Sequence, residues 1–309
     1  MRRKLRTPGR LHGFDEAIAA VDRGSNVPLL LSQLVFFCGD HLMEMPVNAF
    51  KRAIASGKTP IGAWLMSAAP STAEALGSVG FDFLVVDMEH TPIDTPQMIG
   101  ILQAIAGTPA QAIVRPPWND TVMVKRAMDA GAQTLLFPFV QNADEAKRAV
   151  ASTRYPPDGV RGVAGTHRGS RYGTIPNYLK RANEEVCVIV QIETLPAFDQ
   201  LAAIAAVPGV DSIFIGPGDL SASMGFIGDI GNPAVQDKLK EGAQACKRVG
   251  KPSGIIGMNP DMAGKFVEYG YSWVAVGSDM GYLVSRGQEY LAKMRGGAPA
   301  APAKSQSAY

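Results

Sequence analysis

Cysteine is scarce in this sequence: Cys38, Cys187 and Cys246 are the only three in 309 residues, and no two of them form a Cys-x-x-Cys pair. That spacing excludes a disulfide framework and a zinc knuckle, and it suits a reducing, cytoplasmic setting. Charge of one sign is lacking too. The formal net charge is +2, with no extended basic cluster, so a nucleic-acid partner is not expected. Long apolar runs are absent where a membrane anchor would need one. Val27 to Cys38 is interrupted by Ser32 and Gln33 and falls short of the roughly 20 residues that span a bilayer. The basic residues Arg2, Arg3, Lys4 and Arg6 precede that run, as in a signal peptide. However, Asp15, Glu16 and Asp22 intervene, and Gly39-Asp40-His41 is no small-residue cleavage site. Neither a Gly-x-Gly-x-x-Gly after the first strand nor a P-loop occurs, so nucleotide-binding folds gain no support.

What the sequence does have is alternation. Apolar residues make up 46% and charged residues 19%, enough to bury the core of one α/β barrel of about 250 residues with tails left over. Strand-like runs recur at Ile61 to Leu65, Phe83 to Asp87, Ala112 to Arg115, Thr134 to Pro138, Val186 to Glu193, Ser212 to Gly216, Ser253 to Ile256 and Trp273 to Gly277. Helix-start signals lie between them, at Ser71-Thr72-Ala73-Glu74, Asn142-Ala143-Asp144-Glu145 and Asn259-Pro260-Asp261, and Gly80 and Gly270 mark helix ends. An open doubly wound sheet would also alternate in this way, but eight repeats favour a closed (β/α)8 TIM barrel in a single domain over residues 45–295. Residues 1–44 read as an N-terminal extension, either loosely attached or not native. The Ala-, Pro- and Gly-rich residues 296–309 read as a disordered tail.

In such a barrel the chemistry gathers where the strands end. The second run ends in Asp87-Met88-Glu89-His90, the third in Arg115, the fifth in Gln191-Ile192-Glu193 and the sixth in Gly216-Pro217-Gly218-Asp219. Glu193 and Asp219, one helical crossover apart, can share a cation, and oxygen donors without thiolates select a hard ion such as Mg2+ or Mn2+. Carboxylates that merely cap helices or bond Arg115 are the competing reading. Gly218 and Asp219 offer backbone N–H groups to a carboxylate, although a structural turn would explain that stretch as well. Arg115 suits a keto-acid or enolate oxygen, or else an ordinary salt bridge to Asp87 or Glu89. His90 is the one of four histidines placed at a strand tip, where a general acid/base belongs. No lysine stands at an expected tip, which argues against a Schiff-base or PLP mechanism. Between the fourth and fifth runs a long glycine-rich connection carries Arg161, His167, Arg168 and Arg171. Those residues could meet an anionic substrate or serve subunit contacts.

From Phe50 to Arg295 these residues resemble the HpcH/HpaI family of metal-dependent class II pyruvate aldolases. The likeness rests on Gly62-Ala63-Trp64, Val86-Asp87-Met88-Glu89-His90, Val114-Arg115-Pro116-Pro117-Trp118-Asn119-Asp120, Arg154-Tyr155-Pro156-Pro157, Val190-Gln191-Ile192-Glu193-Thr194 and Ile215-Gly216-Pro217-Gly218-Asp219. The resemblance implies Glu193 and Asp219 as ligands of a divalent ion (Mg2+, Mn2+ or Co2+), Gln191 as a substrate contact, and the Gly218 and Asp219 amides as the carboxylate cradle. It further implies His90 as base, Arg115 as enolate stabiliser, and Asp129 as the residue orienting His90 across a subunit boundary in a hexamer with a swapped terminal helix. The implied reaction is reversible cleavage of a 4-hydroxy-2-oxo acid, such as 4-hydroxy-2-oxoheptanedioate or a 2-keto-3-deoxy sugar acid, to pyruvate and an aldehyde. Met88 and Gly218 depart from the family pattern, which has Gly and Ala there, and the loop around Gly165-Thr166-His167-Arg168 matches none of its motifs. A CoA-thioester lyase of the malyl-CoA or citramalyl-CoA type is the alternative enzyme. A catalytically silent metabolite-binding barrel is the alternative of another class.

Overall fold

The structure, a computed structural model, describes residues 43–296. The expected N-terminal extension and C-terminal tail lie outside the described residues, apart from Met43, Glu44 and Gly296. Eight parallel strands close in sequence order into a barrel: β1 Ile61–Leu65, β2 Phe83–Asp87, β3 Gln111–Arg115, β4 Thr134–Phe137, β5 Cys187–Ile192, β6 Ser212–Ile215, β7 Ser253–Gly257 and β8 Trp273–Ser278. The open-sheet alternative is thereby excluded.

Element ends differ from the sequence reading for local reasons. β4 stops before Pro138, which has no N–H to give the ladder. β5 stops at Ile192, so Glu193 stands just beyond the strand and its side chain is free of the ladder's alternation. The helix after β1 begins at Pro70 rather than at the Ser71 signal, because proline is preorganised for the first helical position. Asn142 and Asn259 cap as expected, accepting from the N–H groups of Glu145 and Met262. Gly80 and Gly270 end their helices in the left-handed conformation, at φ +115° and +107°.

Alternation along the strands sorts the core. Leu84, Val86, Val114, Val188, Val190, Ile213 and Ile215 point outward and pack beneath the helices. Trp64, Phe83, Val85, Ile113, Ile189, Phe214 and Trp273 fill the barrel. At the barrel's N-terminal end the helix Ala49–Ala55 inserts Phe50, whose ring meets Phe83 and Trp273 edge-on at 5.2 and 5.4 Å between centroids. Gly254 is required there, since a Cβ would lie 2.1 Å from the Trp273 ring. The same inward period, continued to the other end, leaves Asp87, Arg115 and Gln191 as the last inward side chains of β2, β3 and β5. The fold therefore delivers a polar layer on top of an aromatic one.

Candidate active site

Parallel register sets Asp87 of β2 beside Arg115 of β3. Both side chains are fully buried. Asp87 Oδ1 accepts from Arg115 Nε at 2.9 Å and Oδ2 from Nη2 at 2.8 Å, a two-pronged pair that fixes the guanidinium plane. Arg115 Nη1 lies 2.9 Å from Glu89 Oε2, and the guanidinium sits over the Trp64 ring, 5.0 Å from its centroid. The salt-bridge reading of Arg115 thus holds with both acids, and it places the arginine rather than displacing it from the mouth. Asp87 Oδ1 also accepts from the Glu89 N–H at 3.0 Å and so shapes the turn that carries His90. From the sequence Asp87 stands out only as a salt-bridge partner of Arg115. Its inward position, two residues on from Val85, was the signal for more.

Glu193 is buried beside Gln191 at the end of β5. The Phe139 N–H donates to Glu193 Oε1 at 2.8 Å, Gln191 Nε2 donates to Oε2, and Gln191 Oε1 is buried without a hydrogen-bond partner. A Cβ on Gly216 would come within 2.6 Å of Glu193 Oε2, so glycine at that position is what admits the carboxylate. Asp219 is the third residue of the short helix Pro217–Ser223, whose first-turn N–H groups have no partner within the helix. Burial, reinforced by the negative charge of Asp219 and Glu89, pushes Glu193 up to about 7 against the hydrogen bonds from Gln191 and Phe139. Burial likewise raises Glu89, with Arg115 and His90 pulling it down and Asp87 and Asp219 adding to the rise.

Three carboxylates in one another's field, one of them raised to about 7, and an unpartnered amide oxygen beside them form a site short of positive charge. A hard divalent cation fits that donor set. Among the described residues no three His, Cys, Asp or Glu side chains converge on one point. Glu193 and Asp219, at the ends of adjacent strands, are the carboxylates that could hold such an ion.

His90 follows the β2 tip, exposed, with Nε2 3.7 Å from Glu89 Oε2. Asp129 is placed elsewhere. It ends the helix Thr121–Asp129, which runs from the mouth back toward the start of β4, and its Oδ1 accepts from Arg161 Nη2 at 2.7 Å and lies 3.7 Å from His167 Nε2. Within one chain Asp129 and His90 stand at opposite ends of the barrel. Of the two readings of the long connection, contact with a substrate at the mouth of the same barrel fails for Arg161 and Arg168. Arg161 is fully buried against Asp129 and the Tyr155 ring, and Arg168 donates to the carbonyls of Ala130 and Leu102. Desolvation makes a buried guanidinium seek such partners, so these arginines brace the far end of their own barrel and do not face its mouth.

Residues 60–285 match the family described as HpcH/HpaI aldolase/citrate lyase. The chain is 50% identical over 237 residues to the 2-dehydro-3,6-dideoxy-6-sulfogluconate aldolase of Pseudomonas putida, covering 77% of this chain and 93% of the relative. It is also 50% identical over 246 residues to the 4-hydroxy-2-oxo-heptane-1,7-dioate aldolase of Salmonella heidelberg, covering 79% and 93%. The chain belongs to the HpcH/HpaI aldolase/citrate lyase family. A solved family member from Burkholderia cenocepacia J2315 superposes with a TM-score of 0.78 at 39% identity, covering 81% of this chain and all of that one. Against that background the HpcH/HpaI barrel of this chain brings together His90, Arg115, Gln191, Glu193, Gly218 and Asp219 at one end, and leaves Asp129 at the other.

Proposed function

We propose that the chain is a carbon–carbon lyase of the class II pyruvate aldolase type, cleaving 4-hydroxy-2-oxo acids to pyruvate and an aldehyde. The observation that carries this reading is the buried Gln191–Glu193 pair, with its unpartnered amide oxygen and excess negative charge, beside an arginine locked by Asp87. Family membership and the two aldolases at half identity support it.

Glu193 and Asp219 would hold a divalent ion, Mg2+ or Mn2+ by donor type, with Co2+ also compatible. When bound, that ion supplies Lewis-acid polarisation of the 2-oxo group. The chain's own residues do the rest. The first-turn amides of Gly218 and Asp219 receive the substrate carboxylate at the positive end of their helix. Gln191 lies at the floor of the same site and contacts the 2-oxo acid. His90 takes the proton of the 4-hydroxyl; the bond between C3 and C4 then breaks, releasing the aldehyde and leaving a pyruvate enolate. Arg115 stabilises the enolate oxygen from a fixed orientation, which needs no reorganisation as charge develops. A proton delivered to C3 completes pyruvate.

An assembly follows from the same reading. Asp129 can reach His90 only from a neighbouring copy of the chain, and there it would orient the imidazole and raise its basicity, as in the hexamer the family resemblance implies. Substrates are then a small 2-oxo acid and an aldehyde. The setting we infer is the cytoplasm. Cys187 and Cys246 are free and buried, and no helix among the described residues is long and apolar enough to cross a membrane.

The test is pyruvate release from 4-hydroxy-2-oxoheptanedioate and sugar-derived analogues, with and without EDTA. Release that EDTA abolishes and Mg2+ or Mn2+ restores is the expected result. Full activity in EDTA would overturn the metal assignment, and turnover of malyl-CoA alone would move the enzyme to the thioester lyases.

A further inference from the structure

One residue at the mouth combines an unusual backbone with an unusual surface. Phe139, two residues past the end of β4, has φ +55°, a left-handed conformation that a bulky non-glycine residue rarely adopts. It is held there from three sides. Its N–H donates to Glu193 Oε1 at 2.8 Å, its carbonyl accepts from Gln141 Nε2 at 3.4 Å, and the N–H of the next residue, Val140, donates to the Gln191 carbonyl at 3.0 Å. Two of those three partners are the residues that line the 2-oxo acid site. Pro138 and Val140 are buried on either side, so the turn projects the Phe139 ring alone, 40% exposed, at the rim.

A second aromatic meets it. Trp118, past the end of the adjacent strand β3, is 52% exposed, and its ring centroid lies 5.8 Å from that of Phe139 at a 30° tilt. Its loop is also fixed. The Trp118 carbonyl accepts from the Asp120 N–H at 2.9 Å, Asp120 caps the following helix, and Asn119 donates to the Glu145 carbonyl at 3.0 Å. Two large apolar rings on rigid supports, exposed in the single chain beside a charged site, are a standing cost until they are covered.

The chemistry of the substrate says which part does so. Its pyruvate half carries the carboxylate and oxo oxygens and belongs at Gln191, Glu193 and the Gly218–Asp219 amides. The aldehyde half, beyond C4, carries the carbon chain, and the Phe139 ring springs from the very residue whose N–H holds Glu193. We propose that Trp118 and Phe139 form an aromatic wall that binds the carbon chain of the aldehyde half and makes the enzyme select for methylene or arene carbons in that position. The proposal rests on the aldolase reading above and deepens it. No bond-making role is assigned to either ring.

The experiment is a chain-length series run in the synthetic direction, with pyruvate plus straight-chain aldehydes from ethanal to hexanal, on the intact metal-loaded enzyme and on Trp118→Ala, Phe139→Ala and Trp118→Phe. The readout is the slope of log kcat/KM against carbon number. Each methylene packed on the wall raises kcat/KM about fourfold. A slope taken within one variant is unaffected by the fraction folded or metal-loaded. The wild type and Trp118→Phe should show a rise of that order, and both alanine variants a nearly flat line. A flat wild-type line, or alanine variants as steep as wild type, would overturn the wall. Deuterium exchange at C3 of pyruvate, measured on the wild type without aldehyde, separates the two claims. Exchange with a flat line sinks the wall alone, whereas no exchange and no turnover with any aldehyde sinks the aldolase reading and the wall with it.

Discussion

The two ends of this barrel treat buried polarity in opposite ways. At the N-terminal end the polar groups of the Asn48–Glu185 cluster are answered from within the chain. Asn48 Nδ2 donates to Thr134 Oγ1 at 2.9 Å and to the Glu185 carbonyl at 3.0 Å, its N–H donates to Glu185 Oε2 at 2.7 Å, and Arg52 Nη2 donates to Glu185 Oε1 at 2.7 Å. At the mouth, Gln191 Oε1 is left without a partner, Glu193 is pushed up to about 7, and Phe139 is held in a left-handed turn. A closed network stabilises the fold, and an open one is what a ligand can complete. The difference locates stability at one end and chemistry at the other.

That division can be broken deliberately. The largest effect belongs to Glu193→Ala, which should lower pyruvate release by about a thousandfold or more while the thermal midpoint holds or rises, since a crowded carboxylate has been removed. A midpoint that collapses instead would make Glu193 structural. Phe50→Ala should do the reverse, costing about 3 kcal/mol of unfolding free energy in urea titration with kcat per folded molecule unchanged. A lost kcat in the folded fraction would couple the two ends. Arg115→Lys sharpens the picture at the mouth. Losing the two-pronged pair with Asp87 should cut kcat about a hundredfold with little change in KM, and an effect on KM alone would remove the arginine from enolate stabilisation.

The smallest effect tests the far end by pH. Burial pushes Glu185 up, but hydrogen bonds from Arg52 and the Asn48 N–H, with the charges of Arg52 and Lys51, more than reverse this and leave it below the usual carboxylate range. A carboxylate depressed in the folded state contributes stability that is present above its unfolded pKa and is lost as pH falls through the folded one. Arg52→Ala should therefore cost about 1 kcal/mol near neutrality, and the gap in midpoint between wild type and variant should narrow in acid, below the ordinary carboxylate range. A gap independent of pH would mean that Arg52 acts through packing alone.

The mouth was more legible than the rest of the site because each of its residues follows directly on a strand. The run of apolar residues before Gln191 and before Arg115 announces a strand, and the strand tip announces the site. Asp87 was legible only as a salt-bridge partner, because its double hold on Arg115 depends on the register between β2 and β3. Phe139 carried no signal at all. Nothing local marks a phenylalanine as left-handed when the cause is a carboxylate 54 positions further along the chain. The loop arginines stayed open between substrate and subunit contacts because sequence shows their charge but not the Asp129 carboxylate that holds Arg161 or the helix-end carbonyls that hold Arg168.

The sequence by itself determined the barrel, through eight apolar runs separated by capped helices, and the set of polar residues at the strand tips, because both follow from short-range pattern and local sterics. Tertiary structure decided everything that depends on which neighbours meet. It clamped Arg115 through register, raised Glu193 by burying it beside the charges of Asp219 and Glu89, exposed the Trp118 and Phe139 rings, and put Asp129 beyond reach of the His90 in its own chain. Those are properties of distance and desolvation, which arise only once the barrel has closed.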